Sequence, residues 1–237
     1  MNDAAGNSRF QTTLWSVVLR AGGSEDQPKQ AALSHLCRLY WKPLFVFCLG
    51  KGRSIQDAED LTQAFFAHLL ARDSLRVADP SRGRFRAFLL TSFKHFIADE
   101  GDRSRAARRG GGAVHLSFEL DFKESEQLRA SRDLTPERAY DLQWAHDLVA
   151  RATAALRREH EVAGRSRWFD LIAGADSGAS YQTVAQELAT TEDAVKSFAK
   201  RARRRFRELL ETEIADTVGS PAEASEEMAY LIDLLRG

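Results

Sequence analysis

Residues 181–209 read YQTVAQELATTEDAVKSFAKRARRRFREL, and this stretch decides the fold class. In its first part, apolar side chains recur at the i, i+3, i+4, i+7 spacing of a helix, at Tyr181, Val184, Ala185 and Leu188. The short connection Ala189-Thr190-Thr191 follows, and either threonine can serve as the N-cap of a second helix. The pattern therefore predicts two consecutive helices, at 181–188 and 192–211.

The second predicted helix is apolar on one side and basic on the other. Its apolar stripe consists of Val195, Phe198, Ala202, Phe206 and Leu209. At about 100° per residue, the opposite side carries Asp193, Ser197, Lys200, Arg204 and Arg207, flanked by Lys196 and Arg201. Two helices with a tight turn and an outer basic face are typical of a helix-turn-helix that binds DNA. A solvated charged face is the simpler alternative, but six basic residues without an acid between Lys200 and Arg207 favour DNA.

Helical periodicity extends along most of the chain, and few runs alternate as strands do. We therefore predict an all-α protein, with two small helical domains joined by a flexible linker. The predicted segments are an N-terminal extension at 1–29, a first domain at 30–110, a linker at 111–135, a helix-turn-helix domain at 136–212 and an acidic extension at 213–237. The remaining predicted helices are a short one near Leu14–Val18, one from Ala32 that Pro43 kinks or divides, and others at Ser54–Leu70, Phe85–Arg105, from Pro136, and Ser225–Leu235. The less regular stretch at 159–179 is interpreted as a connection.

Length and composition narrow the class of protein. The chain has 237 residues, which suits two modest domains, and its 43% hydrophobic content permits a buried core. No apolar run approaches the ~20 residues of a membrane span, and residues 1–9 lack the apolar segment of a secretory signal. Cys37 and Cys48 have no metal-ligand spacing, which predicts reduced core thiols. The sequence thus predicts a cytoplasmic protein with no membrane insertion, no metal and no cofactor.

The net charge is zero, but the charges are segregated along the chain. Residues 82–109 contain eight basic and three acidic side chains, whereas residues 208–237 contain eight acids and only Arg236 as a base. Basic blocks of this kind are typical of surfaces that bind nucleic acid, even where the overall charge is balanced. We also expect the acidic extension to fold back onto the chain or to bind a partner.

The two central helices carry further candidate surfaces. In the predicted helix 54–70, Asp57 and Asp60 form an acidic ridge away from the apolar side, which suits either solvent or a basic partner. The predicted helix 85–105 interleaves aromatic and basic residues, a combination that can stack on unpaired bases and neutralise phosphates. Most of its phenylalanines have the regular spacing of core residues, so Arg86, Lys94 and His95 are the better candidates for nucleic-acid contact.

Three motifs in this order resemble a known family. They are DAEDLTQAFF at 57–66, GRFRAFL at 83–89 and the basic helix-turn-helix. Together they are similar to bacterial RNA polymerase sigma factors, in the two-domain form of the extracytoplasmic-function group of the sigma-70 superfamily. The resemblance covers about residues 30–110 and 136–212. Ala64 and Ala189 depart from it, because the family commonly has glutamate and glycine at these positions.

The resemblance implies a role in transcription initiation, with core RNA polymerase and promoter DNA as partners. It implies that polymerase is bound by Asp57, Glu59, Asp60 and Gln63. It implies that the minus-ten element is read and opened by Arg86, Phe88, Lys94, His95, Arg103 and Arg105. It implies that the minus-thirty-five element is read by Thr191, Asp193, Lys196, Ser197, Lys200, Arg201 and Arg204. An anti-sigma factor or a kinase would be a further partner, and a separate hypothesis is phosphorylation of Thr62.

Parts of this pattern also suit two other classes of function. The alternative is a stand-alone helix-turn-helix repressor or activator whose first domain senses a ligand. An enzyme is the third class, but the six histidines have no metal-ligand spacing and Gly110-Gly111-Gly112 lacks the Lys-Ser/Thr ending of a phosphate loop. No Ser/His/Asp arrangement can be singled out either. We therefore predict a protein without catalytic residues.

Overall fold

The computed structural model describes residues 27–71, 84–106, 134–175 and 180–236. Within these ranges every regular element is an α-helix, so the predicted all-α class is confirmed for this part of the chain. The helices are α1 Gln27–Gly50, α2 Ile55–Ala71, α3 Phe85–Ala106, α4 Pro136–Val162, α5 Ser166–Ala175, α6 Tyr181–Glu187, α7 Glu192–Ala215 and α8 Pro221–Arg236. The predicted helix near residues 14–18 and most of the predicted linker, 111–133, lie outside the described residues.

The chain divides into two compact units. Unit 1 comprises the described residues of Met1–His146 and of Ile214–Gly237, and unit 2 is Asp147–Glu213. Unit 1 therefore includes the C-terminal helix α8 as well as α1, α2, α3 and the first turns of α4. None of the described helices is long and apolar enough to cross a membrane.

The core of unit 1 is a cluster of aromatic rings from the first three helices. Phe65 of α2 lies between Phe93 and Phe96 of α3, with ring centroids 4.9 and 5.6 Å away. Tyr40 of α1 makes an edge contact with Phe85 at 5.1 Å. Each buried phenylalanine stabilises the fold by about 1.5–3 kcal/mol. The regular phenylalanines of α3 are thus core residues, as their spacing predicts.

The loop between α1 and α2 follows the local signals in the sequence. Pro43 lies inside α1 without dividing it. The helix ends in a turn in which Gly52 adopts a φ of 78°, and the Arg53 amide donates to the carbonyl of Cys48 at 3.2 Å. Ser54 then caps α2, since its hydroxyl accepts from the Asp57 amide at 3.1 Å. Cys37 and Cys48 are buried and free, as predicted, and burial raises the pKa of each thiol to about 12.

Unit 2 contains a helix that the sequence pattern did not predict. The stretch 159–179 was interpreted as a connection, but α5 occupies Ser166–Ala175. Gly164, with a φ of 66°, ends α4, and the Arg165 amide donates to the carbonyl of His160 at 2.7 Å. Ile172 of α5 then joins a cluster with Val184, Val195 and Phe198. Trp168, Leu171 and Ile172 follow the i, i+3, i+4 spacing of a helix, a signal that the interpretation as a connection overlooked. Their packing against α6 and α7 stabilises a helix that is short on its own.

Helices α6 and α7 are joined by a tight turn. Ser180 caps α6 by accepting from the Thr183 amide at 3.1 Å. Of the two candidate threonines, Thr191 caps α7, because its hydroxyl accepts from the Ala194 amide at 3.2 Å. Between the helices Ala189 has a φ of 51°, which is the left-handed region that favours glycine. The turn therefore has a backbone conformation that normally requires glycine, and Ala189 is strained in it.

The C-terminal helix begins earlier than predicted, and its buried face matches the predicted one only in part. It was predicted at Ser225–Leu235, but α8 starts at Pro221, and the Ser220 hydroxyl accepts from the Glu223 amide at 3.2 Å. Its apolar side was assigned to Met228, Leu231, Ile232 and Leu235. In the structure Leu231, Leu234 and Glu227 are buried, while Leu235 is 45% exposed. Leu231 is thus buried as predicted, and Glu227, which pairs with Arg84 and Arg86, is buried although the pattern did not assign it to this side.

Candidate functional site

The exposed side of α7 is the basic surface of unit 2. Val195 and Phe198 are buried, whereas the predicted contact residues all point to solvent. These exposed residues are Thr191, Asp193, Lys196, Ser197, Lys200, Arg201 and Arg204. The amphipathic pattern of the sequence thus predicted correctly which side of α7 is buried.

Some of the basic residues of α7 have acidic partners and others do not. Lys196 pairs with Glu192 at 2.8 Å, and Arg205 pairs with Glu159 at 2.7 Å. By contrast, the side chains of Lys200 and Arg201 make no ion pair or hydrogen bond with any residue that the structure describes. Exposed guanidinium and ammonium groups without an acidic neighbour leave their charge available to a polyanion. The middle of α7 is therefore an accessible cationic surface of unit 2.

The acidic ridge of α2 lies on the surface of unit 1. Asp57 and Asp60 are exposed, and Glu59 and Gln63 are half-buried. Thr62, the proposed phosphorylation site, is 0% exposed, and its hydroxyl donates to the carbonyl of Ala58 at 2.7 Å. A kinase cannot reach this hydroxyl while α2 is packed, so the structure gives the phosphorylation hypothesis no support.

The predicted contact residues of α3 occupy different environments. Lys94 and His95 are exposed, and Phe88 is half-buried, with its ring 6.3 Å from that of Phe85. The side chains of Arg103 and Arg105 lie outside the described residues. Arg86 differs from all of these, because its side chain is only 11% exposed.

Arg86 is the centre of an ionic cluster, which we define as Arg84, Arg86, Asp141, Glu226, Glu227 and Tyr230. The Nε and Nη2 groups of Arg86 donate to the two carboxylate oxygens of Glu227 at 2.8 and 3.3 Å, and Nη1 donates to Asp141. The Tyr230 hydroxyl donates to the other oxygen of Asp141 at 2.6 Å. Arg84 pairs with both Glu226 and Glu227, at 2.5 and 2.8 Å. The cluster thus links α3 to α4 and α8 within unit 1.

Aromatic rings and burial complete this environment. The Arg86 guanidinium lies 4.8 Å from the ring centroid of Trp144 and 4.7 Å from that of Tyr230, distances at which a cation is attracted to a ring. Burial by itself lowers the pKa of Arg86, but hydrogen bonding to Glu227 and the charges of Glu227 and Asp141 raise it further than burial lowers it. For Tyr230, burial and the hydrogen bond to Asp141 raise the pKa. Arg86 is therefore held as a cation with all of its charge compensated.

An open cleft beside Lys94 carries basic residues that the sequence analysis missed. Its volume is about 460 Å³, and Lys51, Arg53, Lys94 and Glu137 provide its charged lining. Lys94 pairs with Glu137 at 2.8 Å, and the ammonium groups of Lys51 and Lys94 lie 5.5 and 5.7 Å from the ring centroid of Phe47. Hydrogen bonding from Lys94 lowers the pKa of Glu137. The sequence signal for this cleft was the basic pair Lys51 and Arg53 on either side of Gly52.

The described residues contain no group of three or more His, Cys, Asp or Glu side chains that could hold a metal ion. No family model, curated protein or solved structure matches this chain. The functional inference therefore depends on the residues and surfaces described above. They comprise an acidic ridge and a basic cleft in unit 1 and an exposed basic helix in unit 2.

Proposed function

We propose that this chain is an RNA polymerase sigma factor of the extracytoplasmic-function group, which binds core polymerase and directs promoter recognition and opening. The observation that carries the proposal is the exposed basic face of α7 on the second helix of a tightly joined pair. The order of the three sequence motifs adds the sigma-factor class. In this proposal the protein acts in the cytoplasm and has no catalytic residues of its own.

In unit 2, α6 and α7 act as a helix-turn-helix that reads the minus-thirty-five element. A recognition helix contacts base edges with its early residues and phosphates with its later ones. Lys200 and Arg201 suit this role because they are exposed and free of acidic neighbours among the described residues. Asp193 and Lys196 lie near the start of the helix, where base contacts are expected. The Thr191 hydroxyl caps α7, so its contact with DNA would be an additional role.

In unit 1, the acidic ridge of α2 contacts core polymerase and α3 contacts the minus-ten element. The exposed carboxylates of Asp57 and Asp60 suit a basic partner surface. Lys94 and His95 are accessible to a separated DNA strand, and the cleft adds Lys51 and Arg53 as two further cations for its phosphates. An apolar or stacking contact from Phe88 would require a small movement, because that ring is half-buried.

The experiment that tests this function is run-off transcription with purified core polymerase over a library of genomic fragments. Specific transcripts that depend on the added chain would support the proposal and would reveal its promoters. Specific binding to duplex DNA without polymerase, together with no transcript, would instead favour the stand-alone regulator. A sigma-class protein needs core polymerase for tight promoter binding, so gel-shift assays with and without core provide the matching control.

A further inference from the structure

The ionic cluster occupies Arg86, which is predicted to contact the minus-ten element, and its neighbour Arg84. Arg84 and Arg86 stand at the start of α3, immediately before and after the first core phenylalanine of that helix, Phe85. Glu226 and Glu227 of α8 approach both arginines, and Asp141 of α4 approaches Arg86. In this conformation Arg86 is not accessible to a nucleic acid.

The carboxylate of Glu227 binds Arg86 in the same two-oxygen geometry that a phosphate group uses. Glu227 offers two oxygens to adjacent donors of one guanidinium, and a phosphate group offers the same pair of oxygens to the same fork. The helix that supplies Glu227 is itself acidic, with Glu223, Glu226, Glu227 and Asp233 against Arg236. A carboxylate of α8 and a nucleic-acid phosphate therefore compete for one set of donors.

The forces that hold α8 allow such competition. Taking Arg86 and Glu227 out of water costs much of what their mutual attraction returns, so the ion pair fixes the position of α8 more than it stabilises it. The apolar anchoring of α8 comes mainly from Leu231 and Leu234, both 1% exposed. A partner that supplies both charge and apolar surface can replace contacts of this size.

We propose that α8 is an intramolecular inhibitor that covers Arg84 and Arg86, so that the free chain is closed and nucleic acid gains this surface only when α8 is displaced. The inference rests on the proposed function for the identity of the nucleic acid, promoter DNA opened at the minus-ten element. The masking itself concerns only α3, α4 and α8. It makes the acidic extension a regulatory segment of unit 1.

The test locks α8 in place and then releases it in the full chain. Cysteines are introduced by Arg84→Cys and Glu226→Cys and joined with a bismaleimide that contains a reducible disulfide. The native Cys37 and Cys48 are buried, which keeps them from reacting. The same double variant, capped with a monofunctional maleimide, is the matched control. Fluorescence anisotropy then measures binding of a labelled single-stranded DNA before and after the linker is reduced.

We expect the locked protein to bind the strand more weakly than the released protein, by roughly tenfold or more. A tenfold change corresponds to the lower end of the free-energy range for a hydrogen bond to a charged group. The salt dependence should also change, with the slope of log K against log salt steeper by about 0.7 for the one phosphate that Arg86 neutralises. Equal affinity and equal slope in the locked, released and capped proteins would overturn the inference. A merely structural role for the cluster would not change the slope.

A second variant tests the same contact without a linker. Glu227→Gln keeps the size of the side chain but removes the competing charge, and it should strengthen strand binding and expose α8 to hydrogen exchange. If this variant unfolds, the linker measurement decides the outcome alone. Core-polymerase association is measured in parallel. If the locked protein binds DNA weakly but no form of the protein associates with polymerase, the masking by α8 is supported and the sigma-factor function is refuted.

Discussion

Ala189 shows how one residue can carry strain that a motif would normally avoid. With a φ of 51° this alanine has its Cβ in the crowded left-handed region. Ala189→Gly should raise the free energy of unfolding of unit 2 by about 0.5–1 kcal/mol, since the relief of strain exceeds the extra chain entropy of glycine. Urea unfolding measures the change. The matched control Ala154→Gly, in the exposed interior of α4, should lower it by about 1 kcal/mol.

His160 gives unit 2 a dependence on pH. Its ring lies 4.9 Å from that of Phe198, and its buried Nε2 has no hydrogen-bond partner among the residues that the structure describes. Burial, and then the charge of Arg165, lower the pKa of His160 against the smaller opposing effect of Glu159. The unfolded chain therefore binds a proton that the folded chain resists. We expect stability to be lost as the pH falls below the unfolded value of about 6.5.

Thermal unfolding between about pH 8 and about pH 5.5, a range that includes the ordinary histidine pKa, measures this loss. His160→Phe keeps an aromatic ring between Phe169 and Phe198 and removes the titrating group, so its unfolding temperature should depend less on pH. An equal pH dependence in the two proteins would assign the effect to other groups. The Arg205–Glu159 pair is not such a group in this range, because hydrogen bonding from Arg205 lowers the pKa of Glu159.

At the scale of the element, α7 carries the prediction on promoter recognition. Arg201→Ala should reduce use of the cognate promoter by ~1–3 kcal/mol if a bidentate contact with guanine is lost, and Lys200→Ala should have an effect of the same sign. Run-off transcription from the selected promoter measures the effect. Arg158→Ala, an exposed arginine on α4, is the control and should leave promoter use unchanged. A substitution at Lys200 or Arg201 that has no more effect than the control would remove α7 from recognition.

The same scale shows what the sequence could predict. The caps at Ser54 and Thr191 depend on short-range hydrogen bonds, and such signals lie within a few residues. The buried side of α7 follows from its own periodicity. By contrast, the burial of Glu227 depends on Arg86, which is more than a hundred residues away in the chain. No local pattern contains that partner, so the sequence did not assign Glu227 to the buried side of α8.

At the scale of the whole molecule, the two compact units do not follow the order of the chain, because unit 1 contains segments from both ends of it. The acidic extension at 213–237 was predicted as a segment that folds back onto the chain or binds a partner, and its described residues from Ile214 onward belong to the same compact unit as α1, α2 and α3. The basic cleft likewise combines α1, α3 and the start of α4. Residues that are distant in sequence form both features, which is why motif spacing indicated the surfaces of single helices but not these combined ones.

The central claim is that the chain binds core polymerase through the acidic ridge of α2. Asp60→Arg reverses one exposed charge of that ridge and leaves the core untouched, so circular dichroism should show a normal fold. The matched control Glu161→Arg makes the same charge change at an exposed position of α4. Pull-down with purified core polymerase should retain the unmodified chain and the control and should lose the Asp60→Arg protein. No association of the unmodified chain, or equal association of all three proteins, would contradict the claim.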